Sequence, residues 1–187
     1  GGGPDPAREE FLAGGPPPLV FTPSSEALEK DARPFFEAAV DTLRQTGQRG
    51  IFLSKSAQYL PPLPAQAIHR PFVSFRQLLP RSAALIHHGG LGSIAQALAA
   101  GIPQLALPCV FDQFDNAERL QRIGGGLRLD QPQTGAMAAA VRRLLDDDSI
   151  RASCKALQAR VDAPATVCAR AAEVIEGLGT AGRTPGH

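Results

Sequence analysis

The sequence predicts an α/β fold, a Rossmann-like parallel sheet flanked by helices. Two observations carry that prediction. Short apolar runs of strand length alternate with amphipathic segments of helix length. In the middle of the chain, His87-His88-Gly89-Gly90-Leu91-Gly92-Ser93 joins the apolar run 83–86 to the small-residue run 94–100. Strand, glycine turn and helix in that order can receive an anion on backbone N–H groups and a helix N-terminus. At 187 residues and 43% hydrophobic content, the chain suits one domain with a sizeable core.

Each element follows from a local signal. Residues 1–18, ending Gly14-Gly15-Pro16-Pro17-Pro18, read as a linker or extended approach segment. Leu19, Val20 and Phe21 form a short strand that enters the hydroxyl-rich turn Thr22-Pro23-Ser24-Ser25. Those hydroxyls either cap a turn or helix or offer anion donors at a strand end. Phe35, Phe36, Ala39, Val40 and Leu43 recur at helical spacing and predict a helix over 31–45, with Pro34 in its first turn and Gly47 at its end. Strands are expected at 51–53, 67–69, 83–87, 104–107 and 127–129. Helices are expected at 75–79, 93–100, 117–123, 134–145, 150–159 and 166–178, followed by a disordered tail over 179–187.

Composition excludes several classes. A net charge of +1 carries no nucleic-acid footprint. No apolar run approaches the ~18 residues of a membrane span, and no signal peptide is visible. Cys109, Cys154 and Cys168 have no C-x-x-C spacing, which disfavours a disulfide framework or zinc site and suggests a reducing, cytoplasmic setting. Met137 is the only methionine and the chain starts Gly1-Gly2-Gly3-Pro4, so it is read as a piece with something missing on its N-terminal side.

The anion loop matches neither common phosphate signature. Its glycines at 89, 90 and 92 do not make Gly-x-Gly-x-x-Gly, and it contains no lysine for a Walker loop. Histidine is the candidate partner. Residues 108–116 form a second strand-end loop and Ser24 lies on a third. On neighbouring strands the three converge on one crevice.

His88-Gly89-Gly90-Leu91-Gly92-Ser93, Ala100-Gly101-Ile102-Pro103-Gln104, Pro108 and Asp112-Gln113-Phe114-Asp115-Asn116-Ala117-Glu118-Arg119 follow one another at a spacing that resembles one family. It is the C-terminal, donor-binding half of GT-B glycosyltransferases of the UDP-glycosyltransferase type, matched most strongly over 72–126. The resemblance implies that 19–178 is a nucleotide-sugar donor-binding domain. It implies that His88, Gly90, Gly92, Ser93, Thr22 and Ser24 hold the donor phosphates, and that Asp112 and Gln113 hold the sugar. Phe72, Val73 and Gln96 take the base and ribose. Gln96 replaces the Glu of plant members and Phe72 replaces Trp.

The implied activity is inverting transfer of a hexosyl group from an NDP-sugar, a UDP-sugar or dTDP-sugar, to an acceptor hydroxyl. No metal or cofactor is obligatory. The general base and the pocket for a small-molecule or lipid acceptor belong to an N-terminal domain, so no catalytic residue is assigned to this chain and it is expected to be inactive alone. Two other functions stay open: a non-catalytic nucleotide-sugar-binding or partner-binding module, and an epimerase or cell-wall-type transferase. Asp112-Gln113 argues against the last. Local chemistry also offers plainer roles. Ser93 and Gln96 fit a capping box, and Asp112 fits a helix cap. His87 reads as structural, His69 as incidental, Asp146-Asp147-Asp148 as a solvated helix end and Cys109 as core.

Overall fold

The structure is a computed structural model that describes residues 5–23, 32–161 and 164–181. Its centre is a six-stranded sheet in the order β3-β2-β1-β4-β5-β6, with every neighbouring pair parallel. The strands are β1 (Leu19–Thr22), β2 (Gly50–Leu53), β3 (Ala67–Arg70), β4 (Ala84–His87), β5 (Gln104–Ala106) and β6 (Gly126–Arg128). The helices are α1 (Pro6–Ala13), α2 (Arg33–Thr46), α3 (Phe75–Leu78), α4 (Leu91–Ala100), α5 (Gln113–Arg122), α6 (Thr134–Asp146), α7 (Asp148–Gln158) and α8 (Pro164–Ala181). The predicted α/β class and parallel sheet are thus the observed ones.

Side-chain alternation along the strands builds a core on each face. Leu19, Phe21, Phe52 and Ile86 point to one side, where Phe36, Leu43, Met137 and Val141 of α2 and α6 cover them. Phe21 stacks on Phe52 with ring centroids 5.0 Å apart, and Phe36 lies 6.1 Å from Phe52. Val20, Ile51, Leu53 and Leu85 point the other way, onto Leu12, Leu78 and Ala97 of α1, α3 and α4. A smaller cluster joins Ile94, Ala106, Ala117 and Leu120.

Several elements depart from expectation. Residues 6–13 form α1, not an extended segment. Asp5 caps it by accepting the Arg8 N–H at 3.0 Å, and Pro6 takes the first helical position, where no N–H is needed. The glycines and prolines that suggested a linker flank this helix. Arg70 ties Asp5 to β3 at 2.5 Å, Arg81 pairs with Glu9 at 2.6 Å, and the Arg49 guanidinium lies over the Phe11 ring. The helix α4 starts two residues earlier than expected and α5 four residues earlier. Asp147 caps α7, accepting the Ser149 N–H at 2.9 Å, so the acidic run marks a helix junction. The helix α8 continues through Gly179, where a tail was expected, and residues 166–176 on it are exposed. Among the described residues, no helix is long and apolar enough to cross a membrane.

Phe52 is fully buried at the contact between the central strands and α2. Phe52→Ala is expected to lower the unfolding free energy by about 3–5 kcal/mol, the cost of a large core cavity. A urea titration followed by circular dichroism measures this.

Candidate functional site

The strand order reverses its direction of winding between β1 and β4. From β1 the chain passes to β2 and β3 on one side, then returns to β4 on the other. Open parallel sheets take ligands outside the carboxyl ends of the strands at such a switch point. Here those ends are Thr22 and His87, which are register partners. The ends of β1, β4 and β5 are adjacent, and Pro23, just past β1, meets the loops after β4 and β5. A cleft of about 420 Å3 opens there, lined by Pro23, His88, Leu107, Val110 and Pro132 among others.

Burial and hydrogen bonding separate the two histidines. His87 ends β4 and is fully buried. Its Nε2 lies 3.1 Å from Gln104 Oε1 and its Nδ1 accepts the Gly89 N–H at 3.1 Å. Nε2 therefore carries the proton. Burial and the neighbouring His88 push the imidazole down to about 3, against the Gln104 hydrogen bond. His88 turns to the cleft instead. Burial holds it below the ordinary imidazole range, while the Pro23 carbonyl and the Asp112 carboxylate pull upward. Its Nδ1 is buried without a hydrogen-bond partner among the described residues.

The glycines shape this loop. Gly89 has φ +86°, in the left-handed region. At Gly90 a β-carbon would stand 2.4 Å from His88 Nε2, so only glycine lets the ring lie there. Gly90 is also the N-cap of α4, and among the described residues no side chain caps the helix. The Ser93 N–H bonds back to the Gly90 carbonyl at 3.0 Å. Ser93 stands inside the first turn, so the capping box with Gln96 is not formed. Gln96 is exposed and reaches only the Gly92 carbonyl, at 3.5 Å. A β-carbon on Gly92 would meet open space.

The other predicted residues fall in two groups. Asp112 and Gln113 stand at the start of α5, beside the cleft. Asp112 is exposed and does not cap the helix with its side chain. It accepts from Asn116 Nδ2 at 2.8 Å, and Asn116 also donates to the Gly89 carbonyl at 3.2 Å. Gln113 is buried, and its Oε1 accepts the N–H groups of Cys109 and Val110 at 2.9 and 3.1 Å. Thr22 lies at the end of β1, its hydroxyl 3.4 Å from the Pro23 carbonyl. Ser24 and Ser25 lie outside the described residues. Phe72 is 69% exposed, and Val73 is buried in the second core. They lead into α3, which flanks a second cleft of about 420 Å3 lined by Phe75, Arg76 and Gln96.

Some residues take parts that the local sequence does not announce. Cys109 is exposed, not core, because it stands past the end of β5 in a surface loop, where its N–H donates to Gln113 Oε1. His69 has a partner, the Ser54 carbonyl at 2.7 Å. Gln104 and Asn116 stood inside recognisable motifs, yet only the fold shows that both support the Gly89 turn. Phe111, next to Asp112, is 91% exposed with φ +52°, a backbone state that non-glycine residues seldom adopt outside functional loops.

Residues 51–178 match the family described as the erythromycin biosynthesis protein CIII-like, C-terminal domain. The chain belongs to this family, whose structural relatives are GT-B glycosyltransferases. O-Mycaminosyltylonolide 6-deoxyallosyltransferase of Streptomyces fradiae is 34% identical over 79% of this chain, which covers 35% of that enzyme. The glycosyltransferase SnogD from Streptomyces nogalater superposes with a TM-score of 0.71 at 26% identity, over 93% of this chain and 48% of its own. The glycosyltransferase VinC, solved in complex with dTDP, has a TM-score of 0.67 at 27% identity, over 82% of this chain and 40% of its own. The chain thus spans between about a third and a half of these relatives.

The buried neutral His87 has a pH consequence. The unfolded imidazole takes a proton below its ordinary ~6.5, whereas the folded one resists until about 3. Between these values the unfolded state binds more protons, so His87 makes stability fall as pH falls, by up to ~1.4 kcal/mol per pH unit. Unfolding titrations from pH 6.5 to 5 should show this slope, and His87→Asn should remove most of it.

Proposed function

We propose that the crevice between the β1, β4 and β5 loops holds the diphosphate of a nucleotide sugar, making this chain the donor-binding part of a hexosyltransferase. The observation that carries the reading is the joint at α4. An uncapped helix N-terminus meets a cleft-facing imidazole with an unpartnered nitrogen, at the topological switch point. Amide N–H groups and a helix dipole favour an oxyanion there. One imidazole nitrogen is left without a partner among the described residues, and a bound dianion would draw a proton onto the ring.

On this reading Gly90, Gly92, Ser93, Thr22 and Ser24 hold the phosphates together with His88. The exposed Phe72 ring stacks on the base, the Val73 backbone borders it, and Gln96 reaches the ribose. Asp112 and Gln113 meet the sugar. The reaction is direct displacement at the anomeric carbon by an acceptor hydroxyl, with inversion. The C–O bond to the β-phosphate breaks, and the departing nucleoside diphosphate gains charge where His88 and the α4 N–H groups already point. The acceptor pocket and the base that takes the hydroxyl proton are assigned to protein outside this chain. Thymine or uracil both suit the base site, and the dTDP bound to VinC favours thymine.

Calorimetric titration with dTDP and UDP tests this. Both should bind, and His88→Ala should weaken binding about 10- to 100-fold, the range for losing a hydrogen bond to a charged group. Equal affinity in the variant would remove His88 from the site. The 187-residue chain incubated with a dTDP-hexose and alcohol acceptors should release dTDP no faster than buffer does. Rapid release would place the transfer machinery within this chain.

A further inference from the structure

Beyond the groups that meet the donor, one peptide segment is held at both ends by side chains that do not face the cleft. Gly89 has its N–H accepted by His87 Nδ1 at 3.1 Å and its carbonyl bonded by Asn116 Nδ2 at 3.2 Å. Each holder is itself held. His87 Nε2 donates to Gln104 Oε1, and the Gln104 amide is within 3.4 Å of the Ile94 carbonyl inside α4. Asn116 is fixed by Asp112 Oδ2 at 2.8 Å and by its place on α5. The Gln113 carbonyl also closes on Gly89, 3.0 Å from where a β-carbon would stand.

We infer that His87 and Asn116 are positioning residues that lock the left-handed Gly89 turn, and thereby aim the His88 ring and the α4 N-terminus at the donor diphosphate. This rests on the donor-site reading for its consequence, though not for its geometry. A left-handed glycine followed at once by a second glycine has many alternative conformations in a free chain. Two hydrogen bonds from opposite sides leave it one. The His87 bond is made in the dry interior, where the Gly89 N–H has no water to turn to, so losing its acceptor releases the turn. Through Asn116 the same clamp reaches Asp112, which ties the phosphate loop to the β5–α5 loop.

The two ring nitrogens of His87 do different jobs, and amides can separate them. An Asn side chain places its oxygen near the Nδ1 position, keeping the acceptor for Gly89. A Gln side chain reaches the Nε2 position, keeping the Gln104 contact and losing the acceptor. The test compares His87→Asn, His87→Gln and Asn116→Ala with wild type. Amide exchange at Gly89 is measured by NMR, dTDP affinity by calorimetry and thermal midpoint by scanning calorimetry. Both His87 variants lose buried contacts, so both midpoints should drop. His87→Asn should keep the Gly89 amide protected and dTDP affinity within about threefold of wild type. His87→Gln should exchange at least about tenfold faster and bind about tenfold more weakly, the effect of one net hydrogen bond. Asn116→Ala, on an accessible helix, should weaken dTDP by a similar factor even if the Gln variant does not fold.

If His87→Asn and His87→Gln protect Gly89 and bind dTDP alike, or if Asn116→Ala binds as wild type does, the inference is overturned while the donor site stands. If wild type binds neither dTDP nor UDP, the donor-site reading falls, and the claim that the clamp serves it falls too.

Discussion

The pairing of β1 with β4 is the constraint on which the rest of the molecule depends. Leu19 to Thr22 run beside Ala84 to His87 in parallel register, and both strands are covered on both faces. Parallel neighbours cannot be joined by a tight turn. Here the chain between them travels through α2, β2, β3 and α3 and comes back on the other side. That return creates the switch point, and it puts the end of β4 at the centre of the carboxyl edge. The apolar character of Val20, Phe21, Leu85 and Ile86 is thus indirectly why His87 and His88 sit where they do.

From that point one step along the backbone separates structure from site. His87, on the last residue of β4, faces inward and is kept neutral by burial. His88, one residue on, faces the cleft. The alternation that sorts Leu85 from Ile86 between two cores also sorts these imidazoles between a packing role and an exposed one. A lysine in the position of His88 would carry its charge into a mostly apolar cleft, at a desolvation cost that a titratable ring avoids by shedding its proton. Gly90 then follows from the ring, since it has no room for a β-carbon against it.

Most of this was legible in the sequence because it rests on local signals. Strand length, helical spacing and the glycine loop are near-neighbour patterns, and they located the sheet, the helices from α2 onward and the loops after β4 and β5. What was not legible depends on distant partners or competing local rules. Counting glycines and prolines hid α1, whose own residues, Asp5 to Ala13, are good helix formers with a cap. Ser93 and Gln96 have capping-box spacing, but Gly90 already ends the preceding turn, so the helix starts before Ser93 can cap it. Cys109 is apolar enough for a core, yet it stands past the end of β5 in a surface loop. The partner of His69 is the Ser54 carbonyl, fifteen residues earlier and across the β2–β3 register. The link from Gln104 through His87 to Gly89 joins residues that are consecutive in space alone.

On the donor-site reading, the arrangement around Gln113 narrows what the β5–α5 loop can recognise. Its Oε1 already accepts two backbone N–H groups, so only the Nε2 amide is left to meet a ligand, and that group only donates. Asp112 is its complement. One carboxylate oxygen is engaged by Asn116, and as a carboxylate it only accepts. On the donor-site reading, a sugar hydroxyl set between them must give its proton to Asp112 and offer a lone pair to Gln113. An ether oxygen or a protonated amine satisfies one partner and opposes the other. The β5–α5 loop is polarised by the protein's own hydrogen bonds before any ligand arrives, and on the same donor-site reading those bonds decide which ring substituents it takes.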